Sequence, residues 1–231
     1  MGQGGVPLFY LQALKGIGFT FKDLFNDGSL FWSWVANGMG AGKTRVEAGG
    51  EQTIAIAGGT LGEWSDSQNN CPKISIAPCA YPCEIVTKIT SLTLGDECQA
   101  GLIFSNYPHG FGSDVWFGFV RRKHPTSPTT PFDGIAVVTS DGAVNFSLAN
   151  TTLPVWFKMR LGQNAYQSTQ IQWYYSYDGM NYTHAFSSGW AQFSRTAIGI
   201  SLAVMNSADG ASTNAISCGF DYFTMKPKSI N

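Results

Sequence analysis

The stretch Gln170–Thr183, QIQWYYSYDGMNYT, decides the fold. Ile171, Trp173, Tyr175 and Tyr177 fall on one side of an extended chain; Gln170, Gln172, Tyr174 and Ser176 fall on the other. A sustained period of two, rich in aromatics, predicts a strand with one face buried. Asp178-Gly179 then supplies a pair that tolerates positive φ, so the chain turns back as a hairpin. Ile171–Tyr177 is predicted to pair with Tyr182–Phe186 across that turn.

The same pattern recurs outward from this hairpin. Val155, Phe157, Met159 and Leu161 alternate with Trp156, Lys158 and Arg160. Upstream, FTFKDLF (19–25), the piece around Thr53–Ala57, EIVTKIT (84–90), CQAGLIFS (98–105) and Val115–Val120 read as strands. Ile135–Thr139 and Ala143–Leu148 form a second hairpin around Asp141-Gly142. Downstream, Ile198–Met205 and Ala215–Met225 complete the set. Ser91–Glu97 reads as a turn, residues 62–82 as a polar loop, and the proline-rich HPTSPTTP (124–131) as an exposed loop. About a dozen strands at short spacing, with no helix and no break in composition, predict one antiparallel sandwich or barrel over 19–231. Residues 1–18 precede it as an apolar arm.

Composition narrows the function classes. Hydrophobic residues are 44% and charged residues 13%, enough apolar material for a sizeable core. The net charge is −1, and no basic block exceeds Arg121-Arg122-Lys123, which argues against nucleic acid as a partner. That short run is predicted to be a solvated strand end. No apolar run approaches the ~20 residues of a membrane span. Val6–Leu14 lacks the positive start of a secretory signal, and Val6 stands where myristoylation of Met1-Gly2 would want Ser or Thr. So apolar an arm is predicted to pack against another copy or other structural subunits. Cys71, Cys79, Cys83 and Cys98 cluster, with Cys218 apart. A disulfide cluster, buried thiols and a metal site all remain open for them, although the spacing misses the paired CxxC pattern of zinc sites. Gly40-Ala41-Gly42-Lys43-Thr44 imitates a phosphate loop, but Asn37 occupies the first glycine position and the context is β-rich. His109, His124 and His184 are scattered and are predicted to be at the surface. Asn145, Asn150 and Asn181 begin incidental N-x-[ST] sequons.

Three segments, in order, resemble the concanavalin A-like (laminin G-like) lectin and glucanase superfamily. They are Phe21–Gly28 followed by Trp34, Tyr175–Thr183, and Phe220-Asp221-Tyr222-Phe223. VWFKMRL (155–161) and CQAGLIF (98–104) look like its strands too. The resemblance implies an all-β, two-sheet antiparallel jelly roll with one concave sheet. It also implies a structural calcium where the first and last strands meet, for which Asp27 and Asp221 are the nearest matches, and no other cofactor. Sugar binding on such a sheet would use outward aromatics with polar neighbours: Trp156, Arg160, Gln172 and Tyr174. Glucanases of this superfamily carry paired acids on one strand, and this chain has no such run, so no catalytic residue is nominated. The expectation is therefore a non-enzymatic structural or decoration protein of a virion or other extracellular particle, contacting surface glycans. The alternative is a soluble carbohydrate-binding module or accessory domain of a glycoside hydrolase system.

Overall fold

The computed structural model describes residues 20–28, 34–62, 71–76, 82–106, 117–124, 132–139, 143–162, 169–190, 198–206 and 213–227. The arm, Cys79, His109 and the tip of the second hairpin lie outside these residues. Among them no helix occurs, so none is long and apolar enough to cross a membrane. Fifteen strands do: β1 (Phe21–Asp23), β2 (Val35–Asn37), β3 (Lys43–Ala48), β4 (Glu51–Ile56), β5 (Lys73–Ile76), β6 (Cys83–Leu94), β7 (Gln99–Asn106), β8 (Phe117–His124), β9 (Phe132–Thr139), β10 (Val144–Leu148), β11 (Val155–Leu161), β12 (Thr169–Ser176), β13 (Thr183–Trp190), β14 (Ile198–Met205) and β15 (Ile216–Pro227).

They form two antiparallel sheets. The first runs β13-β12-β11-β6-β15-β4-β3, with β1 also on β15; the second runs β10-β9-β8-β7-β14-β5-β2. This is the two-sheet jelly-roll sandwich. Alternation decides what each strand buries. On β11, Val155, Phe157, Met159 and Leu161 are buried while Trp156, Lys158 and Arg160 are half-exposed. On β12, Ile171 and Trp173 are fully buried, and Tyr175 and Tyr177 pack against the same core. The sheets meet ring to ring. Phe119 of β8 stacks on Phe157 of β11 at 4.3 Å and meets Trp173 edge-on at 5.9 Å. Such pairs add about 0.5–1.5 kcal/mol beyond the burial of their surface.

The first motif is knitted by one carboxylate. Asp23 accepts the Phe25 amide at 2.9 Å and the buried Trp34 indole N–H at 2.8 Å, and Trp34 packs on Phe223 of β15 at 4.8 Å. The last motif depends on a bulge. Under strict alternation Phe220 and Phe223 would face opposite ways. The register of β15 against β6 slips at Phe220 and again before Phe223, so both rings are buried. Asp221 and Tyr222 are left half-exposed, as bulges re-aim side chains.

Four expectations are corrected. The presumed loop 62–82 contains β5, whose residues KISI are buried on both faces and so show no alternation. The presumed turn at 91–97 begins only after Leu94, because β6 stays paired with β15 as far as Ile216. Arg121 and Arg122 are not a solvated strand end: β8 continues to His124 between β7 and β9, and they are 3% and 7% exposed. Arg121 bonds Asp133 at 3.1 Å and the Asn150 carbonyl at 2.9 Å. His124 is likewise buried, whereas His184 is exposed.

Candidate functional site

The outward side of the first sheet gathers the polar and aromatic residues that alternation keeps out of the core. Cross-strand register arranges them in rows. Gln172, Arg160, Glu84 and Lys226 lie side by side across β12, β11, β6 and β15. The next row holds His184, Tyr174, Lys158, Val86 and Thr224. A third holds Ser176, Trp156 and Lys88.

Three of the four residues expected to bind sugar form one cluster. Arg160 rests 4.9 Å from the Tyr174 ring centre, and the Tyr174 hydroxyl donates to Gln172 Oε1 at 3.1 Å. His184 meets Tyr174 edge-on at 5.3 Å and is bonded to Ser187 at 2.7 Å. A bulge at Ala185 of β13, facing the Trp173–Tyr174 step of β12, brings His184 opposite Tyr174. The guanidinium is anchored from behind, its Nε donating to Glu84 Oε2 at 2.9 Å, while Lys226 holds the other Glu84 oxygen at 3.2 Å. Burial pushes the Glu84 carboxyl up, but the Arg160 hydrogen bond and the charges of Lys158 and Lys226 outweigh it and hold the pKa below the ordinary value. Glu84 therefore remains an anion that fixes Arg160 in place.

Trp156, the fourth, is set apart. Four residues along one strand separate it from Arg160, about 13 Å. Its indole is committed to the protein: the Asp178-Gly179 turn folds back over it, and Gly179 sits so close that an added Cβ would lie 2.9 Å from Cε2. Lys88 lies 5.2 Å from the ring centre. The Tyr222 hydroxyl, turned outward by the β15 bulge, lies near Trp156 and Tyr182. The turn itself is tied by Asp178, whose carboxylate accepts the Asn181 and Met180 amides, the Asn181 side chain and the Ser176 hydroxyl. Those bonds, Asn181's first, hold its pKa well below the usual carboxylate range. Trp156 thus anchors the hairpin, and Tyr174 carries the accessible aromatic cluster.

The other nominated residues fall elsewhere. Asp221 pairs with Lys88 at 2.5 Å. Asp27 sits in the turn after β1, where its amide and that of Gly28 donate to Glu47 at 3.2 and 3.1 Å. Asp27 thus lies at Glu47 of β3, and Asp221 at Lys88 of β6. Among the described residues no group of three His, Cys, Asp or Glu is arranged to hold a metal ion. Cys71, Cys98 and Cys218 are buried thiols, and Cys83 is buried too; no disulfide joins Cys71 to Cys98. Burial raises the pKa of Cys71 and of Cys98 to about 11.

Sequence reasoning passed over Glu84, Lys88, Lys226, Tyr182 and Tyr222 as members of this surface. The strand alternation could have placed the first two. Tyr222 faces outward only because of the β15 bulge.

Solved structures place this architecture among known folds. A xylan β-1,4-xylosidase from Bacillus halodurans superposes with a TM-score of 0.64 at 13% identity, over 89% of this chain and 38% of its own. A β-1,3-1,4-glucanase (lichenase) from a mouse hindgut metagenome matches with 0.53 at 9%, over 90% of this chain and 99% of its own. The fold is the concanavalin A-like sandwich. A mutant alginate lyase in complex with an alginate tetrasaccharide matches with 0.55 at 8%, over 83% and 87%. This chain spans under two fifths of the xylosidase. No family model and no curated protein matches the sequence. These three structures are of a xylosidase, a glucanase and an alginate lyase, all carbohydrate-active enzymes. They overturn two expectations: the non-enzymatic structural or decoration protein of a virion, and the exclusion of an enzymatic role.

Proposed function

We propose that this chain is a glycan-contacting sandwich of a carbohydrate-active system, either a carbohydrate-binding module or the accessory domain of a glycoside hydrolase. The observation that carries the reading is the Tyr174 cluster: a half-exposed ring beside Arg160 and Gln172 on the outward face of the first sheet. An aromatic face packs on the apolar side of a sugar ring, while fixed polar neighbours hold its hydroxyls. Arg160 is already positioned by Glu84, so binding costs little side-chain ordering. The xylosidase superposition supports the modular form of the reading, since nearly all of this chain matches a minor part of a longer enzyme.

Affinity electrophoresis tests it. In gels cast with xylan, mixed-linkage glucan or alginate, the protein is expected to be retarded by at least one polysaccharide. Tyr174→Ala should restore free mobility while leaving the thermal melt within a few degrees. Unretarded migration in every gel, or retardation indifferent to Tyr174→Ala, refutes it.

A further inference from the structure

The outward face of the first sheet carries its charges unevenly. Across β11, β6 and β15 this face carries Lys88, Lys158, Arg160 and Lys226 against Glu84 and Asp221, although the whole chain is net −1. Both carboxylates are occupied. Asp221 takes Lys88, and Glu84 is shared between Arg160 and Lys226. Lys158 receives neither: no ion pair joins it to a carboxylate among the described residues, and its Nζ rests 3.3 Å from the centre of the Tyr182 ring. Its pKa is lowered, first by burial and then by Arg160 and Lys226, against an opposing pull from Glu84. A half-buried ammonium flanked by two more cations gains most from an added anion, which relieves repulsion as well as forming a contact. A neutral sugar hydroxyl cannot do this.

The geometry around Lys158 suits an anion carried on a sugar. Lys158 lies opposite Tyr174 across β11 and β12, and Arg160 stands two residues along on the same face, about 7 Å away. A carboxylate between the two cations would lie beside the Tyr174 ring. We propose that this face binds uronate-bearing polysaccharides, the sugar carboxylate lodging between Lys158 and Arg160 and the sugar ring packing on Tyr174. The proposal rests on the glycan-contacting reading above and narrows it to the acidic class.

Isothermal titration of the full chain with oligouronates, and in parallel with neutral xylo- and gluco-oligosaccharides, separates the two levels. Oligouronates should bind at least about tenfold more tightly than neutral sugars, with affinity falling as salt rises from about 20 to about 300 mM. Lys158→Met, which keeps the stem and removes the charge, should weaken oligouronate binding by about tenfold and leave neutral-sugar binding unchanged. Lys226→Gln, on a side chain 53% exposed, removes a second positive charge together with its ion pair to Glu84 and should weaken it about threefold. Neutral sugars binding as tightly as uronates, or uronate affinity indifferent to both substitutions, overturns the acidic class and leaves glycan contact standing. No binding of any sugar overturns both.

Discussion

Gly179→Ala is expected to destabilise the protein through Trp156. Gly179 has φ +73°, where a side chain costs about 1–2 kcal/mol. The new Cβ would also approach the indole of Trp156, at 2.9 Å from Cε2, 3.1 Å from Nε1 and 3.2 Å from Cζ2. That ring cannot simply swing away, since Lys88 and Tyr222 lie close to it. Overpacking of this kind costs about 1–3 kcal/mol. The two contributions give about 2–5 kcal/mol, or a melting point lower by roughly 5–20 °C for a chain of this size. The decisive measurement is a double-mutant cycle by circular dichroism in urea. In a Trp156→Ala background only the backbone contribution survives, so Gly179→Ala should cost about 1–2 kcal/mol there, a coupling of about 1–3 kcal/mol. Equal costs in both backgrounds would show that the turn does not bear on the indole.

Asp23→Ala strands the Trp34 indole N–H and the Phe25 amide, and should cost about 2–4 kcal/mol by urea denaturation; Asp23→Asn should recover part of it, and an unchanged midpoint contradicts the role given to Asp23. Glu84 titrates below its ordinary 4.5 in the folded state, so its contribution is complete above that value and is lost as pH falls through the folded pKa. Melting temperatures should accordingly drop as pH falls below 4.5 and through the folded pKa, and Glu84→Gln should flatten that drop; an identical pH profile in the variant counts against the Arg160–Glu84–Lys226 arrangement. Cys71 and Cys98, with pKa about 11, should resist alkylation near neutral pH in the folded chain and react promptly in urea, and rapid labelling of the folded chain would contradict their burial.

Much of this was legible where one face of a strand meets water. QIQWYYS and VWFKMRL write their burial into the sequence, and their outward residues could be named from it. β5 could not be read, because a strand buried on both faces has no period to detect. Arg121 and Arg122 misled for the opposite reason. Their charges suggest water, yet the strand that carries them is central, and Asp133 and the Asn150 carbonyl accept hydrogen bonds from the buried Arg121. At the site, the Arg160–Gln172–Tyr174 group followed from alternation alone. The loss of Trp156 to the hairpin did not, because it depends on a turn lying over its neighbouring strand and on a bulge in β15, more than 60 residues away in sequence.

The placement of β15 has a consequence for biosynthesis. It is made after every other described strand, yet it sits inside the first sheet, between β6 on one side and β4 and β1 on the other. While a ribosome is still translating residues 216–227, the emerging chain has no means of joining those strands, and they must wait with open hydrogen-bonding edges. The pairing of β15 with β1 links position 21 to position 225. A chain that ends before residue 216 lacks the strand that joins β6 to β4 and β1, and so cannot complete its first sheet.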